Sequence, residues 1–214
     1  MKIIGHRGCY DKTENTVESI EYAIQNGANI IEIDIRFCKD NIVVYHDFNL
    51  LRLHNSNQLI ENLDSDFLYK KYNIPTFDMI LKKFGKKIPI FLDLKFKPDQ
   101  YDRFITILSQ DYNLKEYHIY IASFNHVNMY KYLYMFKNHF GFKTGIIIEG
   151  IPNITYNLNF FDFVVTDWEN INSVCNIFNY CNTIEWFVYG INKKSDYNIY
   201  TNDRVNGIII NYIK

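Results

Sequence analysis

The chain has 214 residues and a mass of 25.7 kDa, which fits one folded domain over residues 1–214. Its composition, 48% hydrophobic and 22% charged, is that of a globular protein and excludes disordered, collagen-like and coiled-coil chains. A formal net charge of -1 excludes the basic surface of a general nucleic-acid binder, so we expect no nucleic-acid partner.

Short runs of β-branched and apolar residues alternate with stretches of helical pattern along the chain. The predicted strands are Lys2–His6, Asn29–Ile35, Ile88–Lys95, His118–Ser123, Lys143–Glu149, Phe161–Thr166, Glu185–Ile191 and Gly207–Asn211. The predicted helices are Glu14–Asn26, Thr76–Phe84, Pro98–Gln110, Asn125–His139 and Asn170–Tyr180. This alternation predicts an α/β fold, a compact (β/α)8 TIM barrel, with a doubly wound parallel sheet as the alternative.

A small insertion follows the second predicted strand. Asn41–Tyr45 is a further apolar run after a Lys39-Asp40-Asn41 turn, so we expect a hairpin back along that strand. The polar segment Leu50–Ile74 has weak periodicity and is interpreted as a long connection that could overhang a site.

The four cysteines, Cys9, Cys38, Cys175 and Cys181, have no CxxC spacing and no histidine grouped with them, so we expect reduced thiols rather than a zinc site. No apolar run approaches the roughly 18 residues that span a bilayer, and charged residues interrupt the N-terminus. We therefore expect no transmembrane segment, no signal peptide and a cytoplasmic protein.

Carboxylates gather at the ends of two predicted strands. Glu32 and Asp34 are spaced i, i+2, as are Asp93 and Lys95, so each pair lies on one face of its strand. The carboxyl ends of barrel strands form one rim, which would bring the three carboxylates together. Three hard oxygen ligands without a soft one suit Mg²⁺ or Ca²⁺.

Cationic and imidazole groups are predicted at the same rim. His6 and Arg7 end the first strand, Lys95 ends the third, and His46 ends the predicted hairpin. Arginine and lysine beside a metal suit a phosphate, and two histidines can take one proton and give another near neutral pH. The spacing alone also fits structural histidines and a solvated carboxylate face, and both interpretations stay open.

The same residues resemble a known family, the glycerophosphodiester phosphodiesterases. The strongest matches are GHRG at Gly5–Gly8, ENT at Glu14–Thr16, EIDIRFCKDNIVVYHD at Glu32–Asp47 and L-x-R at Leu50–Arg52. Further matches are IPTFDMIL at Ile74–Leu81, LDLK at Leu92–Lys95 and Ser123-Phe124, with fainter ones at Val188–Asn192 and Asn206–Tyr212. The resemblance covers the whole chain, strongly to Phe124 and faintly after it.

The resemblance implies a (β/α)8 barrel that uses a divalent cation to hydrolyse glycerophosphodiesters to sn-glycerol 3-phosphate and an alcohol, a reaction of lipid and glycerol metabolism. The neighbouring hydroxyl of the glycerol is the implied nucleophile, by way of a cyclic phosphate. The implied acid–base pair is His6 and His46. The implied metal ligands are Glu32, Asp34 and Asp93, and the implied phosphate or substrate contacts are Arg7, Lys95, Glu14 and Asn15.

Several positions depart from the family pattern. Thr13 replaces a proline, Asn41 replaces a turn glycine, and Asp93 stands where glutamate is usual. We interpret Gly190 as replacing an aromatic residue that closes the substrate pocket, and Asn206 and Asn211 as replacing two acidic residues.

Two other functions remain open. A lysophospholipase D-type enzyme would keep the barrel and metal and use the room at Gly190 for an acyl chain. A noncatalytic phosphate-ester-binding barrel would keep the fold without turnover. The sequence does not determine the leaving alcohol, the cation or the oligomeric state.

Overall fold

A computed structural model describes residues 1–9, 13–111, 114–152, 157–178, 183–191 and 204–211. Its strands are β1 (Lys2–Gly5), β2 (Ile30–Phe37), β3 (Ile42–Val44), β4 (Ile90–Leu94), β5 (Ile119–Ala122), β6 (Lys143–Ile148), β7 (Phe163–Asp167), β8 (Glu185–Ile191) and β9 (Gly207–Ile210). All except β3 run parallel in the order β1-β9-β8-β7-β6-β5-β4-β2. Because β2 also pairs with β1, the eight strands close into a barrel, which confirms the predicted fold.

Helices cover the outside of the sheet, and two short helices lie in the insertion after β2. In the described residues they are α1 (Val17–Gln25), α2 (Leu51–His54), α3 (Ser65–Tyr72), α4 (Phe77–Phe84), α5 (Gln100–Asp111), α6 (His126–Tyr134) and α7 (Ile171–Ile177). The prediction extended α6 to His139, but a π-helical turn occupies Met135–His139. The predicted end at Tyr180 lies outside the described residues, as does Cys181. The other three cysteines are free and buried, as expected.

Helix α1 begins later than the predicted Glu14. Asn15 has a φ of 60°, a left-handed conformation that an α-helix does not contain. Thr16 then caps the helix, because its hydroxyl accepts a hydrogen bond from Ser19 N and the Ser19 hydroxyl accepts one from Thr16 N. The residues before the cap are thereby free to face the barrel opening.

The insertion after β2 forms the predicted hairpin, with Phe37 opposite Ile42 and Ile35 opposite Val44 in antiparallel register. The segment Leu50–Ile74 is more regular than its weak periodicity predicted, because it contains α2 and α3. It has its own small core, made of Cys38, Val43, Tyr45, Leu50, Ile60, Leu68 and Ile74.

The interior of the barrel is filled by side chains rather than open. Its buried cluster includes Phe91, Ile147, Phe163, Val165 and Phe187. A side chain at Gly145 would lie 2.4 Å from the Phe163 ring, so only glycine leaves room for that ring. The packed interior leaves the carboxyl ends of the strands as the place for a site.

Among the described residues, no helix combines the length and the apolar composition needed to cross a membrane.

Candidate active site

The turn after β1 carries the first two candidate residues. His6–Gly8 form a 3-10 turn in which Arg7 has a φ of 52° and Gly8 a φ of 92°. A Cβ atom at Gly8 would lie 2.1 Å from the Ser19 hydroxyl, so this turn requires glycine. The tight packing of the turn on α1 holds His6 and Arg7 at the barrel opening.

The three predicted metal ligands lie together. Asp34 on β2 pairs directly with Asp93 on β4, and Glu32 lies two residues before Asp34 on the same face. All three side chains are buried, and each offers a carboxylate oxygen within 4.8 Å of the others. We call Glu32, Asp34 and Asp93 the acidic triad.

Burial and mutual repulsion mark the acidic triad as a candidate cation site. Burial, with the charges of Asp34 and Asp93, raises the pKa of Glu32 well above its ordinary value. Burial, with the charge of Asp34, raises the pKa of Asp93 to about 6 despite nearby Lys95. Asp93 Oδ1 is buried without a hydrogen-bond partner in the described part of the chain. A divalent cation would satisfy that oxygen and relieve the repulsion, so the residues fit a bound metal.

Two cations border the acidic triad. Arg7 Nε lies 3.1 Å from Asp34 Oδ2, and Lys95 Nζ lies 3.3 Å from Asp34 Oδ1 and 2.7 Å from Asp93 Oδ2. Their charges outweigh burial and hold the pKa of Asp34 at about 2. Asp34 is therefore ionised at any physiological pH.

Glu14 and Asn15, expected to contact substrate, lie behind the acidic triad rather than in the cavity wall. Asn15 Nδ2 donates to Asp34 Oδ2 at 2.9 Å, and Asp34 N donates to Asn15 Oδ1 at 3.1 Å. Glu14 accepts hydrogen bonds from Arg7 and Arg52. In this structure the two residues position Asp34 and Arg7.

The two predicted catalytic histidines have different partners. His46 Nδ1 lies 2.7 Å from Asp47 Oδ1, and His6 Nδ1 lies 2.6 Å from Asn211 Oδ1. Because both partners are acceptor oxygens, each Nδ1 carries the proton and each neutral ring has its lone pair on Nε2. Burial lowers the pKa of both histidines, and the charge of Arg7 adds to the effect at His6.

A cavity of about 490 Å³ at the barrel opening brings these groups together. Its wall includes both histidines, Arg7, Lys95 and the acidic triad. Phe91, Ile147, Val165 and Ile209 line it from inside the barrel, and Phe124, Glu149 and Tyr189 complete the lining. One cavity thus combines a cation site, two fixed positive charges and two imidazoles.

Comparison with known proteins assigns the family. The sequence profile of the Glycerophosphoryl diester phosphodiesterase family matches residues 6–133, more than half of the chain. The chain belongs to this family. The match covers both histidines and the whole acidic triad, and it confirms the resemblance found in the sequence.

Individual members of the family share parts of the sequence of this chain. YhdW of Bacillus subtilis is 32% identical over 114 residues, which are 47% of this chain and 47% of that protein. The glycerophosphodiester phosphodiesterase of Caldanaerobacter subterraneus is 29% identical over 146 residues, 59% of each protein. The chain therefore spans about half the length of the curated relatives it matches.

Solved structures share the fold over nearly the whole chain. A glycerophosphodiester phosphodiesterase from Thermotoga maritima has a TM-score of 0.77 at 23% identity and covers 99% of this chain and 94% of its own. A phosphodiesterase from Oleispira antarctica was solved with the product sn-glycerol 3-phosphate. It has a TM-score of 0.78 at 20% identity, and the match covers 99% of this chain and 93% of that protein.

Three residues of this family member's site were not among the predicted site residues. Asp47 holds His46, Arg52 holds Asp47 and Glu14, and Asn211 holds His6. The HD and L-x-R motifs contained a signal for Asp47 and Arg52. The faint match at Asn206–Tyr212 marked Asn211 as replacing an acidic residue but not as a partner of His6, a contact that depends on the closure of the barrel.

The interpretation of Gly190 is wrong. Tyr189, not residue 190, faces inward from β8, because it lies two residues after Phe187 in the inner cluster and lines the cavity. A side chain at Gly190 would instead meet Trp168 at 3.1 Å. The cavity therefore has an aromatic wall on β8, and Gly190 does not open room for an acyl chain.

Proposed function

We propose that this chain is a metal-dependent enzyme that hydrolyses glycerophosphodiesters to sn-glycerol 3-phosphate and an alcohol. The observation that carries the proposal is the shared cavity, in which two histidines, two cations and the acidic triad surround one space. Family membership supports it, and the Oleispira antarctica relative binds the corresponding product.

Glu32, Asp34 and Asp93 would hold the divalent cation, with Mg²⁺ and Ca²⁺ as the candidates. When bound, the cation would neutralise the phosphate and polarise its oxygens. Arg7 and Lys95 would contact the phosphate oxygens, because both charged groups line the cavity beside the acidic triad. Glu14 and Asn15 would keep Arg7 and Asp34 in place.

The histidines would transfer the protons. The lone pair of His6 Nε2 suits proton removal from the attacking hydroxyl, since burial lowers the pKa of His6 and favours the neutral ring, whose Nδ1 is held by Asn211. His46 has the Asp47 carboxylate at its Nδ1, which stabilises an imidazolium that gives its Nε2 proton to the leaving alkoxide. The attacking group is either the neighbouring glycerol hydroxyl or water.

The decisive experiment measures release of sn-glycerol 3-phosphate from glycerophosphocholine and glycerophosphoethanolamine with Mg²⁺, with Ca²⁺ and with EDTA. His46→Ala and His6→Ala should each lower kcat by about 10²–10⁴-fold. His139→Ala is the matched control, because His139 is exposed at the end of the π-helical turn that follows α6. Absence of product with every metal, or full activity in both active-site variants, would refute the proposal.

A lysophospholipase D-type reaction is the second candidate. Exposed apolar side chains follow the strand ends near the cavity, with Phe124 44%, Phe48 64% and Ile151 57% exposed. Such groups could contact an acyl chain at the opening. A lysophospholipase D of Mus musculus is 33% identical over 70 residues, 32% of this chain and 21% of that protein.

A substrate panel separates these functions. Faster turnover of lysophosphatidylcholine than of glycerophosphocholine would favour the second candidate. Binding of either compound without product release, with all metals tested, would favour a noncatalytic phosphate-ester-binding barrel.

A further inference from the structure

Two carboxylates beyond the acidic triad lie at the ends of β6 and β7, and they have different surroundings. Asp167 accepts hydrogen bonds from Gly150 N, Asn170 N and Asn170 Nδ2, so its carboxylate stabilises the loops that contain these residues. Glu149 lines the active-site cavity and has no hydrogen-bond or ion-pair partner within the described ranges. Its charge is therefore available to a ligand.

The position of Glu149 in the barrel places it on a different wall of the cavity from the acidic triad. Glu149 lies two residues after Ile147, which lines the cavity, so its side chain is on the inward face. The triad belongs to the neighbouring strands β2 and β4. One strand, β5, separates β4 from β6, and three strands separate β4 from β8, which lies opposite it in the closed sheet. A ligand held at the triad would extend its far end towards Glu149.

Tyr189 provides an aromatic surface in the same cavity as this carboxylate. It lies on β8 in register with Asp167, and β7 separates it from the end of β6. The charges of Asp167 and Glu149 reinforce burial in raising the pKa of Tyr189 to about 12, which indicates that both carboxylates act on its ring. A carboxylate and an aromatic face together favour an organic cation.

The charges in the cavity indicate the same kind of ligand. The three negative charges of the acidic triad are opposed by Arg7, Lys95 and the two charges of a divalent cation. One positive charge remains for the phosphodiester, which carries one negative charge. Glu149 is then left without a counter-ion, which a cationic group of the substrate would supply.

We propose that Glu149 and Tyr189 form a subsite for a positively charged alcohol group of the substrate, an ammonium or a quaternary ammonium. This subsite rests on the proposed function and applies to either candidate reaction, because both would release the same alcohol. It makes the leaving group, rather than the glycerol, the part of the substrate that Glu149 selects.

The test compares glycerophosphocholine with glycerophosphoglycerol, which has the same phosphate and a neutral alcohol. Glu149→Gln should lower the ratio of their kcat/KM values about threefold to tenfold, as expected for a partly exposed charge pair with an aromatic contact. Glu149→Lys should lower it further. Glu169→Gln is the matched control, because Glu169 is exposed after β7 and does not line the cavity.

Calorimetric binding of the same two ligands in the presence of Mg²⁺ or Ca²⁺, measured with each variant in a His46→Ala background that slows hydrolysis, gives a readout that does not need turnover. A lower choline preference in Glu149→Gln, by kinetics or by binding, supports the subsite. An unchanged preference, an equal loss for both ligands, or the same change in Glu169→Gln overturns it. Preferential binding of glycerophosphocholine without product release would refute the proposed reaction and leave the subsite supported, whereas binding of neither ligand would overturn the subsite.

Discussion

His46 and Asp47 are adjacent in the chain, and their side chains form a hydrogen-bonded pair at the edge of the cavity. Arg52 Nε donates to the other Asp47 oxygen at 2.6 Å and keeps the carboxylate turned towards the imidazole. Asp47→Asn should lower kcat about 10²-fold with little change in KM, because the histidine loses the charge that stabilises its protonated form.

The control for this prediction is Asp102→Asn, whose side chain is exposed on α5. Steady-state kinetics on glycerophosphocholine would measure both variants. A kcat equal to that of the wild type in Asp47→Asn would show that His46 works without its carboxylate partner.

The candidate site was predictable from sequence wherever the chemistry follows strand periodicity. Glu32 and Asp34 share a face because they are two residues apart on one strand, and the order of parallel strands brings Asp93 beside them. Asn15 was harder, because its contact with Asp34 requires a left-handed backbone and a specific helix cap. Asn211 lies 205 residues from His6, so only the closed barrel brings them together.

At the scale of elements, the turn between β1 and α1 sets the position of His6 and Arg7. Gly8→Ala should destabilise the fold by about 3 kcal/mol or more, because the positive φ and the contact with Ser19 both oppose a side chain. The expected result also includes a fall in kcat/KM, since the turn carries two cavity residues.

Gly27→Ala is a matched control for this turn, because Gly27 has the same φ of +92° and nothing within 4 Å of an added Cβ. It should cost only about 1–2 kcal/mol, from the backbone alone, and leave kcat/KM unchanged. Urea unfolding and kinetics of both variants would test this. Equal losses of stability would contradict a role for packing at Gly8.

Helix α3 was not predicted because its pattern is weak. Only Ser65 and Leu68 of its eight residues are buried, and the Asp64 side chain makes no capping bond. Its order comes instead from tertiary packing on Val43, Tyr45 and the rest of that small core, which no local pattern contains.

Leu68→Ala tests that packing. It should cost about 2–4 kcal/mol of unfolding free energy, because Leu68 is completely buried. Tyr69→Ala, at the next position in the helix, should change the free energy of unfolding by less than about 1 kcal/mol, since the Tyr69 side chain is 40% exposed. Similar values from denaturant unfolding of the two variants would contradict the role of Leu68 as the anchor of α3.

At the scale of the whole molecule, the closed barrel and the acidic triad affect stability in opposite directions. Closure aligns β1 with β9 over four residue pairs and buries the interior. The same closure forces three carboxylates into a buried space, where burial and then mutual repulsion raise the pKa of Glu32 and Asp93. The metal-free protein is therefore less stable than its packing alone would make it, and a bound cation should restore the stability that the buried carboxylates cost.

We expect millimolar Mg²⁺ or Ca²⁺ to raise the Tm by about 5 °C relative to EDTA, as for a ligand well above its Kd in a chain of this length. In EDTA, Glu32→Gln should have a higher Tm than the wild type, because one repelling charge is removed. Added metal should raise the Tm of this variant little further, because one metal ligand is removed as well. Glu116→Gln, a surface control paired with Lys86, should keep the gain of the wild type. Differential scanning calorimetry of the three proteins distinguishes a metal site from a passive acidic cluster, since a passive cluster would give equal Tm values with metal and with EDTA.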